Sequence, residues 1–229
     1  KGVIMPSVTF IVLAKSIKHK KFCIAGKRFT NGAIGEWVRP VNTIDSSSDA
    51  LTYNDIEYSN KQHPELFHIT SFSYLKKSPH KIQRENYLID TSIYWGKSGT
   101  FNKNIINELL DNPPTLWHNG YSSYNGDNDR FPIALVQRAI QSLYFVKVYN
   151  LKIRVKREGI DFGNELKRFR GFFIYNSVNY GLIITDPKIY SDYGQLKEDT
   201  YDFGDCYITL STAPYTDEHC YKFIAAIIK

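Results

Sequence analysis

Short runs of apolar, β-branched and aromatic residues, punctuated by glycine, proline, serine and asparagine, recur along the whole chain. Residues 8–14 and 22–29 read as strands separated by a basic turn at 16–21, because alternation with a period near two marks a half-buried strand. Asn31-Gly32-Ala33-Ile34-Gly35 supplies the glycines of a reversal, and residues 36–41 return as a third strand with Pro40 near its end. Residues 44–61 are irregular, with an exposed loop at Ser46-Ser47-Ser48-Asp49, and strands resume at 66–76 and 82–89. The pattern then changes period. Phe101, Ile105, Ile106, Leu109 and Leu110 recur at helical spacing behind Thr100, which predicts a capped helix over 101–110 that Pro113-Pro114 stops. Residues 116–129 read as a long connection, weakly protected against proteases, and 132–141 as a short helix. From Ser142 strands return at 143–157, 167–175, 180–185, 205–212 and 219–228.

Five short strands on either side of a helical stretch predict an all-β protein with a helical insert: two OB-like Greek-key barrels in tandem. The expected domains are 5–95 and 142–229, joined by a mostly helical linker over 96–141. Each half opens on an apolar strand, passes a basic turn and forms a hairpin whose return strand ends at a proline, Pro40 or Pro187. This shared order suggests an internal duplication.

Composition supports the strand reading, since 15% of the 229 residues are aromatic. Three cysteines, Cys23, Cys206 and Cys220, cannot all pair internally and fit no disulfide framework, which points to a reducing compartment. The longest apolar runs are far below the ~20 residues of a membrane helix, and no signal-peptide pattern opens the chain. A cytoplasmic protein without a membrane partner is therefore expected, with translation starting at Met5 after Lys1–Ile4.

The net charge of +6 is unevenly spread. Residues 15–28 hold Lys15, Lys18, Lys20, Lys21, Lys27 and Arg28 with no acid, and residues 147–170 form a second basic band, whereas 186–219 are strongly acidic. A basic surface with interleaved aromatics suits nucleic acid, because phosphates pair with the cations and bases stack on the rings. In strand 167–175, period two puts Arg168, Arg170, Phe172 and Ile174 on one face and Phe169, Phe173 and Tyr175 on the other. If the second set packs inward, the first forms an outward ladder. Trp37 and Arg39 likewise share a face of residues 36–41. The candidate nucleic-acid-binding residues are thus Lys15, Lys18, Lys20, Lys21, Arg28, Trp37, Arg39, Arg154, Lys156, Arg168, Arg170 and Phe172, with Trp37 and Phe172 as stacking platforms.

Other chemistry scores poorly. The six histidines show no ligand spacing with cysteine, so neither a metal site nor a cofactor is expected. Glu165-Leu166-Lys167 behind Asp161 has the Glu-x-Lys form of some metal-dependent nucleases, but sits in a charged turn instead of an apolar strand. No phosphate-binding loop, nucleophile elbow or dinucleotide fingerprint is present. A non-enzymatic binding module is the expectation, with a nucleic-acid or nucleotide hydrolase as a remote alternative.

Five segments carry a resemblance: Cys23-Ile24-Ala25-Gly26, Gly35-Glu36-Trp37-Val38-Arg39-Pro40-Val41, Ser142-Leu143-Tyr144, Thr185-Asp186-Pro187 and residues 220–228. Together they resemble the bacterial dual-OB-domain proteins across both halves. The resemblance implies tandem barrels and a nucleic-acid-sensing or protein-adaptor role beside prokaryotic anti-phage and genome-conflict systems, with a neighbouring defence component as a possible protein partner. Where that family carries an acid before the proline at 214, this chain has Ala213, so activity tied to that acid is not implied here.

Overall fold

The structure is a computed structural model and describes residues 5–18, 21–42, 50–160, 163 and 166–229, with the Lys18 side chain excluded. Its contacts divide the chain into two units, Lys1–Leu109 with Ala139–Gln141, and Leu110–Arg138 with Ser142–Lys229.

The first unit is built on β1 (Ser7–Lys18), β2 (Lys21–Thr30), β3 (Ala33–Val41), β4 (His68–Lys77), β5 (Asn86–Ile89) and β6 (Gly96–Thr100). Asn31 (φ 50°) and Gly32 (φ 82°) both take left-handed backbone, the geometry of a two-residue loop whose twist matches its strands. β1 pairs with β2, β2 with β3, β4 with β5 and β4 with β1, all antiparallel; β3 pairs with β5 in parallel. The ring β1-β2-β3-β5-β4-β1 is therefore closed, and β6 adds to β4. Phe10, Val12, Ile24, Val38, Phe72 and Trp95 fill it, Phe72 stacking on Trp95 at 5.1 Å. Closure is tight at Gly26, where a Cβ would lie 1.8 Å from the Ile11 carbonyl oxygen, so only glycine fits.

In the second unit β7 (Arg130–Pro132) precedes β8 (Leu143–Arg157), β9 (Lys167–Tyr175), β10 (Val178–Ile184), α1 (Pro187–Tyr193), β11 (Asp199–Pro214) and β12 (His219–Ile228). The ring β8-β9-β10-β12-β11-β8 repeats the first connectivity, with β10 and β12 parallel. The β9–β10 loop again has two left-handed residues, Asn176 (φ 47°) and Ser177 (φ 65°). Leu151, Ile153, Val155, Phe169, Leu182, Ile208, Leu210 and Ile224 form the buried interior. β7 adds to β12.

The expected helical insert is realised as short 3₁₀ segments without an α-helix. Over 101–110 there is only a 3₁₀ segment, Lys103–Leu109, broken at Ile105. Asparagines intervene: the Asn104 backbone N–H donates to Asn102 Oδ1, the kind of local side-chain bond that competes with a helix. Thr100 caps nothing and ends β6. Over 132–141 a single 3₁₀ turn, Ile133–Leu135, follows Pro132. The one α-helix among the described residues, α1, follows β10, where Asp186 accepts from the Lys188 N–H and Pro187 opens the first turn. The loop at Ser46–Asp49 lies outside the described residues.

Candidate nucleic-acid interface

β8 and β9 pair so that outward positions face one another in rungs: Lys156 with Arg168, Arg154 with Arg170, and Lys152 with Phe172. Phe172 in turn faces Gly181 on β10. Five cations and one ring thus fill three rungs, while Phe169 and Phe173 point into the core. Like charges opposed on a sheet repel unless something intervenes. In the middle rung, something does.

Residues 122–129 strap this face. The Gly181 N–H donates to the Asp127 carbonyl at 2.8 Å, and Asn128 Nδ2 donates to the Asn179 carbonyl at 3.0 Å. Gly181 is required, because a Cβ would come 2.6 Å from the Phe172 ring and 3.0 Å from the Asp127 nitrogen. Beneath the strap Arg170 is 2% exposed. Its Nε and Nη2 donate to the two carboxylate oxygens of Glu158 at 3.0 and 2.8 Å, and Nη1 donates to Asp129 Oδ2 at 3.1 Å and the Gly181 carbonyl at 2.8 Å. Asp129 also accepts from the Ser123 N–H and hydroxyl. The expectation that Arg170 offers its charge outward is therefore corrected. It lies on the predicted face, but two carboxylates and the strap enclose it.

Lys156 is exposed, Arg168 is half-buried near the Tyr190 phenol, and Lys152 stands 3.8 Å from exposed Asp202. Arg154 donates to the Asn125 carbonyl at 2.8 Å and holds its guanidinium 4.6 Å from the centre of the half-buried Phe172 ring. Where the ladder meets Phe172, a groove of about 780 Å³ opens, lined among others by Tyr149, Asn150, Lys152, Ile174 and Asn179. Its volume is in the range of small-ligand pockets. Tyr149 and Ile174 are 59% and 62% exposed, large apolar surfaces held open to solvent. The sequence reading placed Phe172 and Ile174 on this face and Lys152 in the basic band, but missed Tyr149, Asn150 and Asn179. The signal is nevertheless present: inward Val146, Val148, Leu151 and Ile153 skip one position at Tyr149-Asn150.

The segment leading into the strap also holds a buried amine. Lys222 on β12 is 1% exposed and donates to the His118 carbonyl (2.7 Å) and Asn119 Oδ1 (3.1 Å). Burial pulls its pKa down to about 7, against a smaller opposing pull from Asp129. Cys206 and Cys220 are buried thiols pushed up to about 12 by desolvation, which suits packing over reactivity.

The first barrel treats its cations differently. Lys15 contacts Glu65 at 2.6 Å, and Arg28 reaches Glu36 at 2.8 Å and the Tyr87 hydroxyl at 2.7 Å. Arg39, 7% exposed, donates to Gln83 Oε1 at 2.7 Å and Asn86 Oδ1 at 3.0 Å. Trp37 is 2% exposed, with the Lys27 ammonium 5.7 Å from its ring. Trp37 as an exposed stacking platform and Arg39 as a phosphate contact are therefore corrected, because both faces of β3 are buried from Trp37 to Val41. Lys21 is half-buried; the Lys18 side chain, Lys20, Asp161 and Glu165 lie outside the described residues. Among the described residues no cluster of three or more His, Cys, Asp or Glu is arranged to hold a metal, and no helix is long and apolar enough to cross a membrane.

Two closed five-stranded rings with the order 1-2-3-5-4-1, repeated in one chain, define a tandem OB-barrel protein. The chain belongs to the dual OB-containing domain family, whose model matches residues 8–227. No curated protein matches it in sequence. Among solved structures it is similar to a murine DNA-binding protein bound to double-stranded DNA, at 9% identity and a TM-score of 0.34, covering 98% of this chain and 100% of that one. A second, described as "Structural mimicry for functional antagonism", gives 12% identity and a TM-score of 0.33, covering 97% of this chain and 91% of that one.

Proposed function

We propose that the chain is a non-enzymatic binding module for single-stranded or distorted nucleic acid, and that the strand lies across β8, β9 and β10 of the second barrel. The observation that carries this reading is the cation ladder running into an aromatic groove. Lys152, Arg154, Lys156 and Arg168 follow the phosphates, and Phe172 with Tyr149 offers surfaces on which bases stack. OB barrels commonly use the face of their second and third strands in this way, and β9 and β10 hold those places here. In this reading the protein works in the cytoplasm beside prokaryotic defence components, as the family resemblance implies. Single-strand affinity should fall with salt at a log-log slope of about −0.7 for each phosphate neutralised. Replacing Lys156 and Arg168 together with Ala should flatten that slope by roughly one to two units and weaken all sequences alike. Wild-type protein that binds no oligonucleotide at low salt would sink the proposal.

A second reading is favoured by the acids exposed on and around β11, among them Glu198, Asp199, Asp202 and Asp205. There the chain is an adaptor whose acidic side docks a basic protein of a defence complex. A salt-dependent protein complex, lost on neutralising those acids while oligonucleotides stay unbound, would favour it.

A further inference from the structure

The groove holds unused hydrogen-bonding groups. Asn150 takes left-handed backbone at φ 53°, and its N–H donates to Asp205 Oδ1 at 3.1 Å, which fixes the kink in β8. The kink leaves both Tyr149 and Asn150 exposed at the groove wall. On the other wall Asn179 is exposed and directly opposite Ile174 in the β9–β10 register. The β8–β9 pairing ends at Lys152 opposite Phe172, and Asn150, two residues earlier in β8, lines the same groove as Ile174. The two asparagines thus line one groove from β8 and β10, the strands on either side of β9, whose Phe172 and apolar Ile174 form its floor. Among the described residues the side-chain amides of Asn150 and Asn179, and the Asp127 carboxylate, have no hydrogen-bond partner; the bonds these residues make are of the backbone. Each amide pairs a donor with an acceptor, and the carboxylate is an acceptor only.

We infer that the groove reads one unstacked base carrying an exocyclic amino group, adenine foremost, on the apolar floor between the two amides. An asparagine amide meets adenine with two hydrogen bonds, giving to a ring nitrogen and accepting from the amino group. Asp127 adds an acceptor for an amino hydrogen and none for a carbonyl, which disfavours thymine and uracil. A stacked duplex base is out of reach of such a groove, whereas splayed single-strand bases are the usual targets of edge reading. The inference rests on the nucleic-acid reading above and specifies what it recognises. A free adenine nucleotide presents the same base; the adjacent cation ladder argues for a strand.

Anisotropy with labelled dA6 and dT6, and AMP as competitor, tests it. The wild type should prefer dA6 by about 5- to 150-fold, the span one bidentate amide–base pair confers. Asn150→Gly, which keeps the left-handed backbone, combined with Asn179→Ala should erase most of that preference while the salt slope and the melting temperature stay unchanged. AMP should compete only at concentrations far above dA6; competition at equal concentration would assign the groove to a free nucleotide and overturn the strand assignment. Equal binding of dA6 and dT6, or a preference that survives the double substitution, would overturn the base-reading inference alone. Absence of binding to either oligomer at low salt would instead overturn the nucleic-acid reading on which it rests.

Discussion

The two barrels share one ring of strands and differ in what covers it. In the first, the exposed end of the β2–β3 hairpin gives way to buried residues from Trp37 onward, and Lys15, Arg28 and Arg39 are spent on Glu65, Glu36, Tyr87, Gln83 and Asn86. In the second, a strap from outside the ring covers Arg170 and Gly181 and leaves a groove beside them. The same connectivity thus buries both faces of the third strand from Trp37 onward in one barrel and opens a groove beside β9 in the other. Basic composition alone does not decide which. What decides is whether acids and amides from neighbouring segments reach the cations first.

The largest expected effect tests the strap. Arg170→Ala takes from buried Asp129 and Glu158 the cation they share, leaving Asp129 only its Ser123 donors and Glu158 only Arg154 at 3.5 Å, and should cost about 3–5 kcal/mol in urea unfolding followed by tryptophan fluorescence. Arg28→Ala, at a half-exposed pair in the first barrel, should cost about 1 kcal/mol or less. Equal losses would break the contrast. Next come the two aromatic candidates. Trp37→Ala should lose about 3–5 kcal/mol of stability, and its folded fraction should bind oligonucleotides as the wild type does. Phe172→Ala should lose about 1–3 kcal/mol of binding with its salt slope unchanged. A Trp37 variant that folds well but binds weakly would reopen the first barrel as an interface.

A smaller effect concerns Lys222. Its folded pKa lies near 7 and its unfolded value near 10.5, so the unfolded chain holds more protons between those values. Stability contributed by this group therefore rises with pH across that window, by at most about 1.4 kcal/mol per unit, and the burial penalty is full below pH 7. Lys222→Met should remove this rise; unfolding curves at pH 7 and 8 that keep it would assign it elsewhere. Geometry agrees, since a neutral amine has two hydrogens for the two acceptors present. The smallest effect is expected at Lys15→Ala, whose partner Glu65 is exposed: under about 1 kcal/mol of stability and no change in salt slope.

How legible all this was in the sequence follows from range. β8, β9 and β12 were readable to the residue, because their alternation is local, and both hairpin loops announce themselves by residues that tolerate positive φ. β6, with the sequence Gly-Lys-Ser-Gly-Thr, has no alternation to read and exists only because β4 offers an edge. The outward face of β9 was correctly assigned, yet Arg170 on it is enclosed by Asp129, forty-one residues away. Burial of that kind is a tertiary fact. The groove residues sit between the two cases, since the skipped position at Tyr149-Asn150 records the kink but not what it faces.

The strap has a consequence for the order in which the protein is made. Asp129 precedes in the chain every strand of the ring it helps to close, and the backbone N–H of Lys222 donates to its carbonyl. At about 5–20 residues per second, translation leaves the acidic segment waiting roughly 5 to 20 seconds between its own emergence and that of β12. During that interval the strap lacks the Lys222 N–H, and its anchors on the ring are Arg170, Asn179 and Gly181, while Glu158 already faces Arg170. The strap is thus loosest on the unfinished chain and is fastened as the last strand arrives.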